Sequence, residues 1–205
     1  MDKYNYITLR EPSTGLYKEK ASRFMAFAYP VSSEDEAQAL IKTLRSEYHD
    51  ARHWCYAYRL GPETLTERSS DDGEPANSAG KPILNQLKVH QLMNVLIVVV
   101  RYFGGTLLGV GGLIQAYRNA TADAISKATI IHQTIQKKFT IHFPYTALNV
   151  VFATLKTNNA IIYDKQIGSL CYARFSIDLP AAEQLINKLI IIGKNINISP
   201  DETQI

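Results

Sequence analysis

Cysteine is scarce in this chain: only Cys55 and Cys171 occur in 205 residues. They lie far apart and in regions of different pattern, so a disulfide framework is excluded as the organising element. No apolar run is long enough to make a membrane-spanning helix. The start, MDKYNYITLREPSTG, lacks the basic-then-apolar pattern of a signal peptide. A cytoplasmic protein with no membrane partner is therefore expected. Charge of one sign is missing as well. The formal net charge is +3, with 15 Lys and Arg against 14 Asp and Glu through Gln133, and 7 against 5 from Thr134 onward. Bulk electrostatics thus do not demand nucleic acid, although distant residues can still build a local basic patch. Neither GxxxxGK[ST] nor GxGxxG is present, so no nucleotide and no other cofactor is expected. No Ser-His-Asp or Cys-His-Asn order with local support appears, which leaves nucleophilic catalysis without backing. Internal repeats and low-complexity tracts are also absent.

The most informative stretch that is present runs from Asn94 to Gly112, NVLIVVVRYFGGTLLGVGG. Its apolar β-branched run, Val95 to Val100, reads as a strand buried on both faces. Arg101, Tyr102, Phe103, Gly104 and Gly105 follow at the strand's end, with Gly109, Gly111 and Gly112 just before a helical pattern. Glycines there permit positive φ or a close backbone approach, and a glycine-rich passage opening a helix can present N–H groups to an anion. A tight, well-packed strand-to-helix connection is the competing reading.

Around this strand, Tyr6 to Arg10 and Gly15 to Val31 read as extended segments joined by a Pro12-containing turn. Ser33-Glu34-Asp35-Glu36 has capping-box spacing, and Ala37, Leu40, Ile41, Leu44 and Tyr48 share the face of the helix it opens. His53 to Leu60 is strand-like, Glu67 to Gly80 reads as a polar turn-rich loop, and Lys81-Pro82 begins a short helix. Leu113, Ala116, Tyr117, Ala120, Ala124 and Ala128 make a small-sided helix able to pack close to a sheet. The polar segment HQTIQKK (132–138) ends this first region. Beyond it the pattern is βαββαβ, with strands around Phe139 to Phe143, Ala160 to Tyr163, Cys171 to Leu179 and Ile196 to Ile198. Helix faces at Leu148 to Leu155 and Leu185 to Ile190 complete the order. That order predicts a ferredoxin-like sandwich for residues 134–205, beside an α/β sandwich for residues 1–133, in an α+β chain overall.

Three polar groups could carry chemistry. His49 and His53 would share a face if the chain were helical between them, as zinc ligands do; a strand starting near His53 separates them. Asp71, Asp72 and Glu74, with Gly73, stand in the polar loop, where clustered carboxylates can hold a hard cation or act as an acid/base pair. The spacing lacks calcium-loop order, and a solvated turn is the plain alternative. Tyr56, Tyr58, Arg59, Arg68, Arg101, Tyr102 and Phe103 interleave guanidinium groups with rings, which suits stacking on unpaired bases and gripping phosphate. The plain alternative is that the tyrosines alternate between core and surface of a sheet.

Taken together, HDARHWCYAYR (49–59), RSSDDGEPANSAGKPIL (68–84) and NVLIVVVRYFGGTLLGVGGL (94–113) resemble the YigZ/IMPACT family. Ser22-Arg23-Phe24 looks like the family's early strand, and Asn77 falls in the variable part of its DDGEPxxxAG loop. The resemblance implies a first domain similar to domain IV of elongation factor G and a second similar to its ferredoxin-like domain V. Eukaryotic IMPACT proteins act in translational control with an additional N-terminal domain that is not expected here. That regulatory role does not transfer directly; the elongation-factor likeness suggests nucleic-acid or ribosome binding, and the leading expectation is a non-enzymatic RNA- or ribosome-associated protein serving as a translation regulator. One recognition surface would comprise Tyr56, Tyr58, Arg59, Asp71, Asp72, Gly73, Glu74 and the Arg101 to Gly112 positions named above. The alternatives are a metal-dependent hydrolase using Asp71, Asp72 or Glu74 and a protein-interaction module in translational control.

Overall fold

The computed structural model describes residues 4–201 and divides into two compact units, with Tyr6–Gln133 as the larger. In chain order this unit contains β1 (Asn5–Leu9), β2 (Ser13–Glu19), β3 (Ser22–Pro30), α1 (Glu34–Glu47), β4 (His53–Leu60) and β5 (Thr66–Ser70). α2 (Gly80–Val89), β6 (Val95–Tyr102), α3 (Gly109–Lys127) and β7 (Ile130–Thr134) complete it. Five strands form an antiparallel sheet in the order β2-β3-β6-β4-β5, and β1 pairs separately with β7.

β6 is the central strand, and its side chains divide by the period of two. Val95, Ile97 and Val99 meet Ile83 and Leu87 of α2 and Leu113, Ala116, Tyr117, Ala120 and Ala124 of α3. Leu96, Val98 and Val100 meet Ala37, Ile41 and Leu44 of α1. The sheet is thus covered on both faces, which is why β6 is apolar at consecutive positions.

Local signals are met with instructive departures. Ser33 caps α1 by accepting from the Glu36 N–H, but the Glu36 carboxylate reaches back to the Ser32 N–H, one position before the cap. Gly15 to Val31 is not one extended segment. Lys20 and Ala21, both at positive φ, turn the chain between β2 and β3. Such a turn usually takes Asn or Gly, so nothing in the residues announced it. Residues 67–70, expected within a loop, belong to edge strand β5. The polar segment after α3 begins as strand β7, and α3 starts at Gly109, so its glycines lie inside its first turn.

Among the described residues, the smaller unit comprises residues 134–201 together with Tyr4 and Asn5. It contains β8 (Gln136–Pro144), α4 (Leu148–Thr157), β9 (Ile161–Gln166), β10 (Leu170–Asp178), α5 (Leu179–Ile192) and β11 (Asn197–Pro200). Its antiparallel sheet has the order β11-β8-β10-β9, so consecutive β9 and β10 are neighbours while the other connections cross over. Ile141, Phe143, Cys171, Ala173 and Phe175 pack there against Val151 and Leu155 of α4 and Leu185 and Leu189 of α5. No helix among the described residues is long and apolar enough to cross a membrane.

Candidate functional site

The loop between β5 and α2 folds inward. Asp71 accepts hydrogen bonds from three backbone N–H groups, Asn77 (2.8 Å) to Oδ2 and Ala79 (3.0 Å) and Gly80 (2.8 Å) to Oδ1. α2 has no side-chain cap of its own at Ala79, so this carboxylate supplies the acceptor and the negative charge its first turn lacks. Gly80 is required by close approach, since a Cβ there would lie 2.7 Å from the Ser70 backbone. Asp72 accepts from the Trp54 N–H at 2.7 Å and pairs with Arg45, and its backbone oxygen meets His53 Nδ1 at 2.9 Å.

Glu74 points into the layer between the sheet and α3, with its side chain 4% exposed. Its Oε1 receives Arg101 at 2.6 Å and the Tyr117 hydroxyl at 2.8 Å. His53 Nε2 stands 3.9 Å away. The Tyr117 oxygen also lies 3.2 Å from Cys55 Sγ, whose second contact is the Asp71 backbone oxygen at 3.0 Å. The Arg101 guanidinium lies 5.3 Å from the Phe24 ring centroid and 5.6 Å from that of Phe103. The motif's charged groups therefore form a buried network that ties the loop to β4, β6 and α3.

This placement redraws the expected recognition surface. Tyr56, Tyr58 and Tyr102 lie on the α1 side of the sheet, with Tyr56 and Tyr58 buried, whereas Arg59 and Arg101 lie on the α2 side. Arg101 is 5% exposed and paired with Glu74; Arg59 is bound to Glu67 at 2.9 Å and to the Leu92 oxygen. Neither guanidinium is presented to an external phosphate. Phe103 is half-exposed, and a Cβ added at Gly105, Gly109 or Gly111 would meet nothing within 4 Å. Gly104 is different, because a Cβ there would come 2.1 Å from the Ala21 backbone, while its N–H donates to Ser22 Oγ at 3.0 Å. Gly112 would meet the Leu108 Cβ at 3.0 Å, and Gly73 takes a φ of +85° beside the His53 ring. Sequence reasoning missed Tyr117 and Cys55 as members of the network. Strand parity was the available signal, since positions 53, 55, 57 and 59 share one face. His49 lies in the turn after α1 and not on a helical face shared with His53.

Burial shifts two of these groups. It raises the Cys55 thiol and the Tyr117 phenol far above their ordinary values, with the neighbouring Glu74 charge adding to both. A raised folded value means that stability is fully present below the unfolded value and falls as pH rises beyond it. Stability measured by urea unfolding is accordingly expected to decline above about pH 9 as the unfolded thiol ionises. Cys55→Ala should remove the earliest part of that decline, and an unchanged alkaline profile would refute the assignment to Cys55.

The Impact N-terminal domain family matches residues 20–125, which contain the network, α2 and all but the last two residues of α3. The chain belongs to the IMPACT family. Family member YigZ of Escherichia coli (strain K12) is 34% identical over 84% of this chain and 84% of its own length. A crystal structure of a hypothetical protein is 29% identical, covers 98% of this chain and 99% of its own, and superimposes with a TM-score of 0.76. The two-domain translational regulator Yih1 is 28% identical over 62% of this chain and 48% of its own, with a TM-score of 0.39. In this IMPACT-family chain the DDGEP residues serve first as the internal brace of the larger unit.

Proposed function

We propose that this IMPACT-family protein is a non-enzymatic, cytoplasmic regulator of translation that works by binding RNA or the ribosome. Its nucleic-acid edge lies at the end of the sheet where β3 and β4 begin and β6 ends. One observation carries the reading. Exposed Arg23 and Arg52 lie beside Tyr102 at this edge, and half-exposed Phe103 follows it with its ring beside Arg101. The Arg23 guanidinium lies 4.5 Å from the Tyr102 ring centroid, and the Tyr102 hydroxyl is oriented by Asp50 at 2.7 Å. Exposed guanidinium groups take phosphates and an exposed ring takes an unpaired base, without any demand on overall net charge. The buried Arg101 supports Phe103 from within.

Several observations support the remaining parts of the reading. The β11-β8-β10-β9 order with its two helices agrees with a ferredoxin-like smaller domain from residue 134, as in domain V of elongation factor G. A sheet with helices on both faces is the counterpart proposed for domain IV of that factor. The hydrolase alternative would need Asp71, Asp72 and Glu74 to be available, yet each is committed to backbone N–H groups, an arginine or a tyrosine.

Binding of purified protein to ribosomes and to single-stranded RNA oligonucleotides at two salt concentrations tests the proposal. Arg23→Ala/Arg52→Ala/Phe103→Ala should weaken binding at least about ten-fold and flatten its salt dependence. Unaltered binding by that variant, or none by the wild type, refutes it.

A further inference from the structure

A groove lies between α2 and α3, lined by none of the residues of the buried network. It encloses about 720 Å³. Lys81, Asn85 and Val89 recur every fourth residue along α2, and Ile114, Arg118 and Ala122 do so along α3, so each helix lends one face to the groove. Pro82, Gln86, Asn119 and Asn77 complete the lining.

Three properties stand out. Val89 is 71% exposed and Ile114 39%, and the apolar ridge continues toward the start of α3 through Val110 and Leu107. Lys81 and Arg118 supply two positive charges with no ion pair among the described residues, while neighbouring Lys88 is already paired with Glu67. No acidic residue lines the groove; its other polar groups are uncharged amides.

We infer that this groove docks an acidic, amphipathic segment of a partner protein, which goes beyond the RNA-facing edge proposed above. Charge complementarity selects a negatively charged occupant for Lys81 and Arg118. The apolar walls select side chains over a sugar-phosphate backbone, which would gain nothing from covering Val89 and Ile114. Helical walls with lining residues every fourth position suit a segment whose apolar residues recur at three and four positions, interleaved with carboxylates.

The DDGEP loop builds this groove from behind. Asp71 holds the N–H groups of Ala79 and Gly80 at the start of α2, and that of Asn77, a groove-lining residue at a φ of +62°. Glu74 holds α3 through Tyr117, the residue preceding Arg118. One loop therefore sets both walls.

The test is selection of a random 16-residue peptide display library on the immobilised full-length protein. Recovered sequences should be enriched in Asp and Glu interleaved with large apolar residues at helical spacing. A synthetic peptide of that sequence should bind at least about ten-fold more weakly to Lys81→Glu/Arg118→Glu and to Ile114→Asp. Replacing its carboxylates by lysines should restore binding to the charge-reversed protein, a result that a merely misfolded variant could not give. Recovery of no binders, or of binders without acidic bias, overturns the inference. So does binding that ignores the groove variants, a second copy of this chain as the occupant, or displacement by single-stranded RNA that cross-links to Lys81 or Arg118. RNA binding through Arg23, Arg52 and Phe103 should be unchanged in the groove variants, so the two proposals fail separately.

Discussion

Glu74→Ala is expected to lower the stability of the larger unit by about 3–5 kcal/mol, because it leaves the Arg101 guanidinium buried without its counter-charge. The side chains of the pair are 6% and 4% exposed, and Oε1 of Glu74 also accepts the Tyr117 hydroxyl, so water cannot replace what is lost. Urea midpoints at constant m-value provide the measurement. The corresponding double variant, Glu74→Leu/Arg101→Met, should lose much less than the two single substitutions added together, since it removes both charges and leaves apolar groups beside Phe24. A loss below about 1 kcal/mol for Glu74→Ala would place the pair in the range of solvated surface bridges and refute its role as the unit's brace.

The second large effect is expected at Asp71. Asp71→Ala leaves the N–H groups of Asn77, Ala79 and Gly80 without their acceptor and removes the negative charge from the start of α2. A cost of about 2–4 kcal/mol follows from the unpaired donors and the lost cap. Asp71→Asn should cost less, because it can still accept at Oδ1 from the two helical N–H groups. Hydrogen exchange at Ala79 and Gly80 locates the effect. Faster exchange there in Asp71→Ala, beyond that at the β6 amides, is the expected pattern, and uniform acceleration would show that Asp71 does not act locally on α2.

These two residues show where reading by residue type stopped. A run such as ERSSDDGEPANSAG has almost no apolar side chain, so composition and turn propensity describe it as a solvated loop, with its carboxylates free for a cation or for proton transfer. In the folded protein, Asp71 and Glu74 turn inward because the start of α2 and the face of α3 offer unsatisfied donors, and backbone positions at positive φ allow the turn. The partners lie in other elements: Tyr117 is separated from Glu74 by 43 positions, and Arg101 by 27. No local pattern reports a contact over such a separation. The two glycine readings also divided by position. Gly104 and Gly80 are close-packing glycines against Ala21 and Ser70, whereas Gly105 and Gly111 face open space.

What the sequence by itself determined is the principal helices and core strands and the side of each that is buried, but not edge strand β5, strand β7 or the turn that divides β2 from β3. Val95 to Val100 is apolar at every position because both faces of its strand are covered. Ser33 to Tyr48 and Leu113 to Ala124 repeat at helical spacing because each helix buries one stripe, and the βαββαβ pattern after Thr134 follows from the same rule. The tertiary structure alone decided which charged and aromatic residues reach solvent. A period of two sends Tyr56 and Tyr58 to one side of the sheet and Arg59 to the other, and the placement of α2 and α3 seals Arg101 beneath them while leaving Arg23, Arg52, Lys81 and Arg118 outside. The physical reason is that burial is set by what another element brings to a face, and the energetic demand of a buried charge is met by a partner distant in the chain.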